Sequence, residues 1–406
     1  MAKTEKKNTW RKPRHRIITE LARCLVGPYV RLRYRIKIEK FRPKDSRPYL
    51  LISNHQTGFD QFIMGMVFPR PIYYLASEDL FSNGFVSKLL KFAVEPIPIK
   101  KQTSDISAVR NCIKVAREGG TIGIFPEGNR TYGGRTGYMK PAIAKLARSL
   151  KMPVAFMRIE GGYGVHPRWS DCIRRGSTMK AYVSKVMEPE EVRAMSDTEL
   201  YDLMCSELWQ DEAVVDGIYV HKKSAEYLER AMYVCPFCGL SEFESNDDII
   251  RCKHCDRKIR YLPTKELEGV GFDFPHRFVA DWYDAQCDYI NALDVTAMTE
   301  TPIYEDSVSL YKVILYKSKS LVEKNALARL YGDRIEIDAA GKTLVLDFDD
   351  ISVITVLGRN KLNIYHKDEV YQFKAGKRFN PMKYMNIYFR KKNIDKGDSD
   401  DKFLGL

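Results

Sequence analysis

The stretch Tyr49-Leu50-Leu51-Ile52-Ser53-Asn54-His55-Gln56-Thr57-Gly58-Phe59-Asp60 decides how the rest of the chain reads. It begins with a short apolar run of the kind that forms a buried strand. Phe62-Ile63-Met64-Gly65-Met66-Val67 follows and opens a helix. His55 therefore lies just past a strand's carboxyl end, where open α/β sheets present side chains to ligands. An ideal helix cannot turn a carboxylate five residues on toward it, because five steps rotate by ~500°. Through the turn offered by Thr57-Gly58, Asp60 reaches back to one imidazole nitrogen. That contact fixes the tautomer and leaves the other nitrogen free to take a proton from a hydroxyl.

Alone, a His and an Asp at this spacing are more often surface or capping groups than a dyad. A second stretch changes the balance. Thr121-Ile122-Gly123-Ile124-Phe125 is again strand-like and ends in Pro126-Glu127-Gly128-Asn129-Arg130. Arg130 offers a planar, permanently charged fork suited to phosphate, and Gly128 lets the backbone approach a ligand.

His55-x4-Asp60 followed by Phe125-Pro126-Glu127-Gly128-Asn129-Arg130 resembles the glycerolipid acyltransferase family, of the lysophosphatidic acid acyltransferase type. Two further blocks match in order, Ala93-Val94-Glu95-Pro96-Ile97-Pro98-Ile99-Lys100-Lys101 and Met152-Pro153-Val154-Ala155-Phe156. The likeness covers roughly residues 30–210. It implies that His55 is the general base, that Asp60 orients it, and that Glu127, Gly128 and Arg130 bind the acceptor, with Arg130 on its phosphate. Lys101, with Lys100 beside it, stands where the family carries an arginine, which keeps the charge and loses the bidentate fork. Phe156 stands where a second proline is usual, and Pro141 where a glycine is common.

Composition bounds the remainder. A chain of 406 residues, 44% hydrophobic and 29% charged, is an ordinary globular composition and implies two to four domains. No apolar run reaches the ~18 residues of a spanning helix, and basic residues interrupt any signal-peptide core. The expectation is a cytoplasmic protein, peripheral on the inner face of the cell membrane.

The net charge of +13 is concentrated at the start, where positions up to Asp45 hold fifteen Lys and Arg against four acids. Within that arm Ile17, Ile18, Leu21, Cys24 and Leu25 project to one side of a helix and Arg16, Glu20 and Arg23 to the other, with Gly27-Pro28 ending or kinking it. Ahead of a lipid-modifying domain, this arm is read as docking on an anionic bilayer. The alternatives are that the helix packs on its own domain and that the arm is solvated or binds nucleic acid.

In the α/β domain, residues 34–39 alternate as a half-exposed strand. Residues 103–120 read as a helix with Ile106, Val109, Ile113 and Ala116 buried and Gly119-Gly120 as its stop. Residues 140–150 form a second helix leading into a strand at 153–156, and a charged helix spans 189–209. The order of strands and helices predicts a three-layer α/β domain.

Cys235-Pro236-Phe237-Cys238 and Cys252-Lys253-His254-Cys255 make paired CxxC knuckles, the spacing of a zinc ribbon holding structural Zn²⁺ through four thiolates. The other five cysteines (Cys24, Cys112, Cys172, Cys205, Cys287) read as small core residues. An aromatic-rich helix follows in 272–293. Seven strand-like runs come next, at 307–316, 325–331, 334–337, 343–348, 351–357, 361–365 and 370–373, and then a helix at 381–391. Together these resemble a pleckstrin-homology-type barrel.

The domain boundaries expected are 1–33 docking arm, 34–215 acyltransferase, 216–263 zinc ribbon, 264–300 helical connector, 301–393 barrel and 394–406 disordered tail. The function implied is transfer of an acyl chain from acyl-CoA or acyl carrier protein to the free hydroxyl of a lysophospholipid, with 1-acylglycerol-3-phosphate the favoured acceptor. Another lysolipid or alcohol acceptor is the runner-up. A zinc-ribbon module binding nucleic acid or protein is the reading from a different class; the mixed charges of residues 232–262 weigh against nucleic acid. The sequence leaves the oligomeric state open.

Overall fold

The computed structural model describes residues 9–82, 84–99, 105–214, 216–315, 317–397 and 402–405. Its contacts divide the chain into two units. The first holds Met1–Asn129, Met139–Gly161 and Thr178–Gln210; the second holds Arg130–Tyr138, Gly162–Ser177 and Asp211–Leu406.

The first unit is built on a seven-stranded sheet of β1 (Ile36–Ile38), β2 (Leu50–Ser53), β3 (Ile72–Ser77), β4 (Ile97–Ile99), β5 (Thr121–Ile124), β6 (Val154–Glu160) and β7 (Met179–Met187). The spatial order is β1-β7-β6-β2-β5-β3-β4, with every neighbouring pair parallel except β6 and β7. Leu50, Ile52, Ile122, Val154 and Phe156 are all fully buried, because a parallel sheet is covered on both faces and its central strands are apolar throughout. Strands β3 and β7 were not expected from the sequence. Their residues alternate too weakly in Ile72–Ser77 and carry too many lysines in Met179–Met187 to stand out as strands.

Helices α1 (Pro13–Tyr34), α2 (Asp60–Val67), α3 (Phe85–Val94), α4 (Ile106–Arg117), α5 (Ala142–Leu150), α6 (Pro189–Ala194) and α7 (Asp197–Leu208) belong to this unit. The expected charged helix is two helices. Ser196 breaks it by capping α7 with a reciprocal pair, the Glu199 N–H donating to Ser196 Oγ at 3.2 Å and the Ser196 N–H to Glu199 Oε2 at 2.8 Å.

Helix α4 begins after Asp105, whose carboxylate accepts from the Ala108 N–H at 3.0 Å, and stops, as expected, at Gly119-Gly120 with Gly119 at φ +76. Its buried stripe is shifted from the expected Ile106, Val109, Ile113 and Ala116. The buried residues are Ala108, Cys112 and Val115; Ile113 and Ala116 pack partly against the same core, while Ile106 and Val109 are exposed. A narrow face of small side chains lets the helix lie close to the sheet, and that packing outweighs raw hydrophobicity.

Helix α1 also departs from expectation. It passes through Gly27 and Pro28 without ending and stops only at Arg35, a left-handed residue whose N–H returns to the Arg31 carbonyl. Pro28 forfeits one helical hydrogen bond, but both it and Cys24, whose carbonyl is released, lie on the exposed side, where water replaces the lost donor. On the other side Gly27, Val30 and Tyr34 are buried, and a Cβ on Gly27 would stand 3.7 Å from Met66.

Arg23, expected on the solvent face, is instead held in place. Its guanidinium donates to the carbonyls of Gly65, Phe68, Pro69 and Arg70. Cys24, expected in the core, is exposed.

In the second unit the paired knuckles sit on β8 (Val234–Cys235), β9 (Gly239–Leu240), β10 (Phe243–Asn246), β11 (Ile249–Cys252), β12 (Lys258–Tyr261) and β13 (Leu267–Gly269). Here α8 (Val279–Ala292) is the aromatic-rich helix, and buried Trp282 donates from its indole nitrogen to the Val234 carbonyl at 2.8 Å. Seven antiparallel strands follow: β14 (Tyr304–Ile314), β15 (Ser318–Leu330), β16 (Arg334–Ala339), β17 (Lys342–Asp347), β18 (Ile351–Leu357), β19 (Lys361–His366) and β20 (Glu369–Ala375). They are ordered β17-β16-β15-β14-β20-β19-β18, and α9 (Met382–Asp395) comes after them.

The described part of the final segment does not behave as a disordered tail. Asn386 donates to the Leu404 carbonyl at 2.7 Å, and Leu404 is buried. Segments 130–138 and 162–177 join this unit through arginines. Arg135 meets Asp211 at 2.8 Å, Asp281 at 2.7 Å and also Asp284. Arg230 donates to the Trp169 carbonyl and to Asp171, each at 2.8 Å.

Candidate active site

Strands β2 and β5 are adjacent and parallel, with Ile52 opposite Ile124, so the segments leaving their carboxyl ends emerge side by side. One carries His55 and Asp60, the other Glu127. The first turn of α2 begins at Asp60 itself, which places a carboxylate at the positive end of the helix.

His55 Nδ1 lies 2.8 Å from Asp60 Oδ2. The same oxygen accepts the N–H groups of Gln56 at 2.6 Å and Thr57 at 2.9 Å, and Thr57 Oγ1 donates to Oδ1 at 2.6 Å. Asp60 is fully buried, whereas the His55 side chain keeps 14% of its surface exposed. A carboxylate gripped by this many donors cannot rotate. With Nδ1 hydrogen-bonded to an acceptor, the proton sits on Nδ1 and Nε2 is left with its lone pair.

Three further contacts hold the histidine. Its ring stacks on Phe125, centroids 4.4 Å apart and planes at 25°. Its backbone N–H donates to Glu127 Oε1 at 2.7 Å. The residue before it, buried Asn54, is clamped to β6: its amide donates to the Ile159 carbonyl at 2.8 Å and accepts the Ile159 N–H at 2.9 Å. The same amide nitrogen donates to Gln210 Oε1 at 2.6 Å. Tyr74 stacks behind Phe125 and donates its hydroxyl to the Gln61 carbonyl at 2.7 Å. Burial pushes its phenol well above the ordinary value, so it stays neutral.

The structure thus brings together His55, Asp60 and Glu127. Gly128 turns the chain at φ +68, with open space around its missing Cβ, so a glycine is needed there for conformation and not for room. Arg130 is the first residue of the second unit, where its carbonyl accepts from Arg168 at 2.8 Å. Lys100 and Lys101 lie outside the described residues. Sequence reasoning gave no role to Asn54, Phe125 or Tyr74. The only available signal was their position, flanking the histidine in the chain or ending the neighbouring strand.

The four cysteines of the knuckles also converge. Their Sγ atoms all lie within 4.8 Å of one another, with Cys235 and Cys255 at 3.7 Å and Cys238 and Cys252 at 3.6 Å. Thiolates bound to one tetrahedral zinc at 2.3 Å stand about 3.8 Å apart, so the set fits a closed four-sulfur metal site. Ser241 Oγ lies 3.1 Å from Cys252 Sγ, an outer partner of the kind that orients metal ligands. Burial opposes ionisation of Cys255, but hydrogen bonds from the Arg257 backbone and side chain outweigh it and bring the thiol down to about 7.

Residues 33–160 match the family model described as Acyltransferase. Over 90 residues the chain is 31% identical to a 1-acyl-sn-glycerol-3-phosphate acyltransferase of Bacillus subtilis, covering 22% of this chain and 44% of that protein. Over 106 residues it is 36% identical to the enzyme of the same name from Borreliella burgdorferi, covering 26% and 42%. The chain therefore spans less than half the length of these relatives. The solved 1-acyl-sn-glycerophosphate acyltransferase of Thermotoga maritima is 18% identical with a TM-score of 0.38, over 47% of this chain and 75% of that one. That likeness is too slight to bear on the fold.

Proposed function

We propose that this chain, whose residues 33–160 match the Acyltransferase family model, transfers an acyl group from a thioester to the free hydroxyl of a lysophospholipid. The favoured acceptor is 1-acylglycerol-3-phosphate, giving phosphatidic acid, and the donor is acyl-CoA or acyl carrier protein. The observation that carries the reading is the His55–Asp60 contact at 2.8 Å through Nδ1, at the carboxyl ends of adjacent parallel strands.

In the reaction, His55 Nε2 takes the acceptor's hydroxyl proton as the oxygen attacks the thioester carbonyl. Collapse of the tetrahedral intermediate breaks the C–S bond, and the imidazolium returns the proton to the departing thiolate. Asp60 keeps the ring oriented and offsets its transient charge. Glu127 holds the His55 backbone in place. Arg130, and by resemblance Lys101 with Lys100 beside it, grip the acceptor's phosphate and so contribute orientation and charge complementarity.

The four knuckle thiolates hold a structural Zn²⁺; four protein ligands leave no position for substrate. Among the described residues no helix is long and apolar enough to cross a membrane, and the basic arm docks the protein on an anionic bilayer at the inner face of the cell membrane. The antiparallel sheet with its terminal helix serves as a pleckstrin-homology-like interaction domain.

The test is release of free thiol when purified protein meets acyl donors and a panel of lysophospholipids. Thiol release with 1-acylglycerol-3-phosphate that disappears in His55→Ala is expected. A His55→Ala variant with full activity would remove the dyad from the mechanism.

A further inference from the structure

The side of α1 that was expected to be apolar is not packed on its own domain. Ile17, Leu21, Leu25, Tyr29 and Leu32 are exposed, Leu25 and Leu32 at 76%, whereas the helix docks through Gly27, Val30 and Tyr34. A second helix of the same unit shows the same arrangement. In α3, Phe85, Val86, Leu89 and Phe92 are exposed, Phe85 at 78%, and Phe85, Leu89 and Phe92 share one face by their i, i+4, i+7 spacing.

The two faces meet. Arg14, Leu21, Leu25 and Leu32 lie within about 20° of one line along α1 at 3.6 residues per turn. Arg14 is the residue whose guanidinium stacks on the Phe92 ring, 4.4 Å from its centroid, and donates to the Phe92 carbonyl at 3.0 Å. The exposed side of α1 therefore runs on into the exposed side of α3. At its other end the Tyr29 ring lies 6.4 Å from Phe59, and Phe59 lies 5.8 Å from half-exposed Phe62. Phe59 stands between His55 and Asp60 in the chain, so the apolar surface reaches the loop of the dyad.

Contiguous apolar patches of this kind mark interaction sites, and the rim identifies the partner. Arg16, Arg31, Lys88 and Lys91 are exposed beside these residues. The acids near them are engaged, Glu20 with Arg23 and Glu95 with Lys12. Long basic side chains around aromatic and aliphatic residues suit an anionic lipid surface, with ammonium and guanidinium groups at the headgroups and the apolar side chains below them.

We propose that α1 and α3 together form a single bilayer-inserted face, to which α3 contributes apolar contact of its own. Lipid then reaches the dyad loop along Tyr29, Phe59 and Phe62 without leaving the membrane. This rests on the lipid-acylating reading of the site and differs from docking by charge alone, because an inserted apolar face holds when salt screens the headgroups.

The test is co-sedimentation of the full chain with phosphatidylglycerol–phosphatidylcholine vesicles at about 0.1 M and about 1 M NaCl. Neither thioester nor lysolipid is present. Wild-type protein is expected to stay bound at the higher salt. F85E/L89E in α3 and L21E/L25E in α1 are each expected to lower the partition coefficient by at least about tenfold. Val345→Glu, an exposed apolar position of β17, is expected to leave it unchanged. Retained metal content and an unchanged thermal melt confirm that the variants fold.

F85E/L89E that binds vesicles like wild type, or wild type released by salt, overturns the proposal. So does a vesicle-free wild type that self-associates through this face and is made monomeric by F85E/L89E. Wild type that sediments yet releases no thiol with any donor would sink the acyl-transfer reading alone.

Discussion

Replacing Glu127 by alanine tests what holds the histidine loop. In the structure the carboxylate accepts the His55 backbone N–H at 2.7 Å, a short bond to a charged acceptor. Such bonds contribute about 1.5–3 kcal/mol. If that energy is spent in keeping Nε2 where the acceptor hydroxyl arrives, its loss lowers kcat by about 10–150-fold. Glutamine keeps an oxygen that accepts the same N–H but lacks the charge, which roughly halves the bond. Glu127→Gln should therefore lose only about 3–12-fold.

The assay is steady-state thiol release with the lysolipid varied, so that kcat and KM separate. A positioning role predicts a fall in kcat with KM for the acceptor nearly constant, and partial rescue by glutamine. Glu127→Ala with kcat retained and KM raised would refute the reasoning and return Glu127 to direct contact with the acceptor.

His55→Ala should lose the ~10²–10⁴-fold contribution typical of a general base, measured as single-turnover thiol release. Asp60→Asn presents an amide to His55 Nδ1 and to the N–H groups of Gln56 and Thr57, so it should both slow turnover and lower the melting temperature; unchanged values of both would contradict the buried network. Elemental analysis should find about one zinc per chain, with Cys235→Ser and chelators lowering it and destabilising the second unit; a ratio near zero would overturn the metal assignment. Arg135→Ala leaves Asp211, Asp281 and Asp284 without their shared cation, and should cost about 1–3 kcal/mol in urea unfolding; a change within error would show that the cluster is solvated.

Much of this was legible in the chain because it depends on local chemistry. The turn at Thr57-Gly58 carries Asp60 back to His55, and the spacing of the two CxxC knuckles brings four sulfurs together. The alternation after residue 300 marks strands such as Arg334–Ala339, which buries Ile335 and Ile337, while Ile351–Leu357 stands out instead as a continuous apolar run. What escaped depends on partners far along the chain. The buried stripe of α4 centres on Ala108, Cys112 and Val115 and leaves Ile106 and Val109 outside, because small side chains let the helix lie close to the sheet. Likewise α1 turns its most hydrophobic side outward, since Gly27 and Tyr34 fit α2 and the Phe59 ring better. Glu127 carries no mark in the sequence that its acceptor oxygen meets a backbone N–H 72 positions earlier.

The chain passes between its two units five times, and one passage falls between Asn129 and Arg130, inside the block that carries Glu127. Segments 130–138 and 162–177 take their anchors from Asp211, Asp281, Asp284 and Arg230. A fragment cut at Gln210 to isolate the part that matches the family model would keep both segments and lose every one of those anchors. Arg130 opens the first of those segments, so in such a fragment it would sit in a stretch stripped of its partners, and a shortened chain meant to test acyl transfer has to run past Asp284.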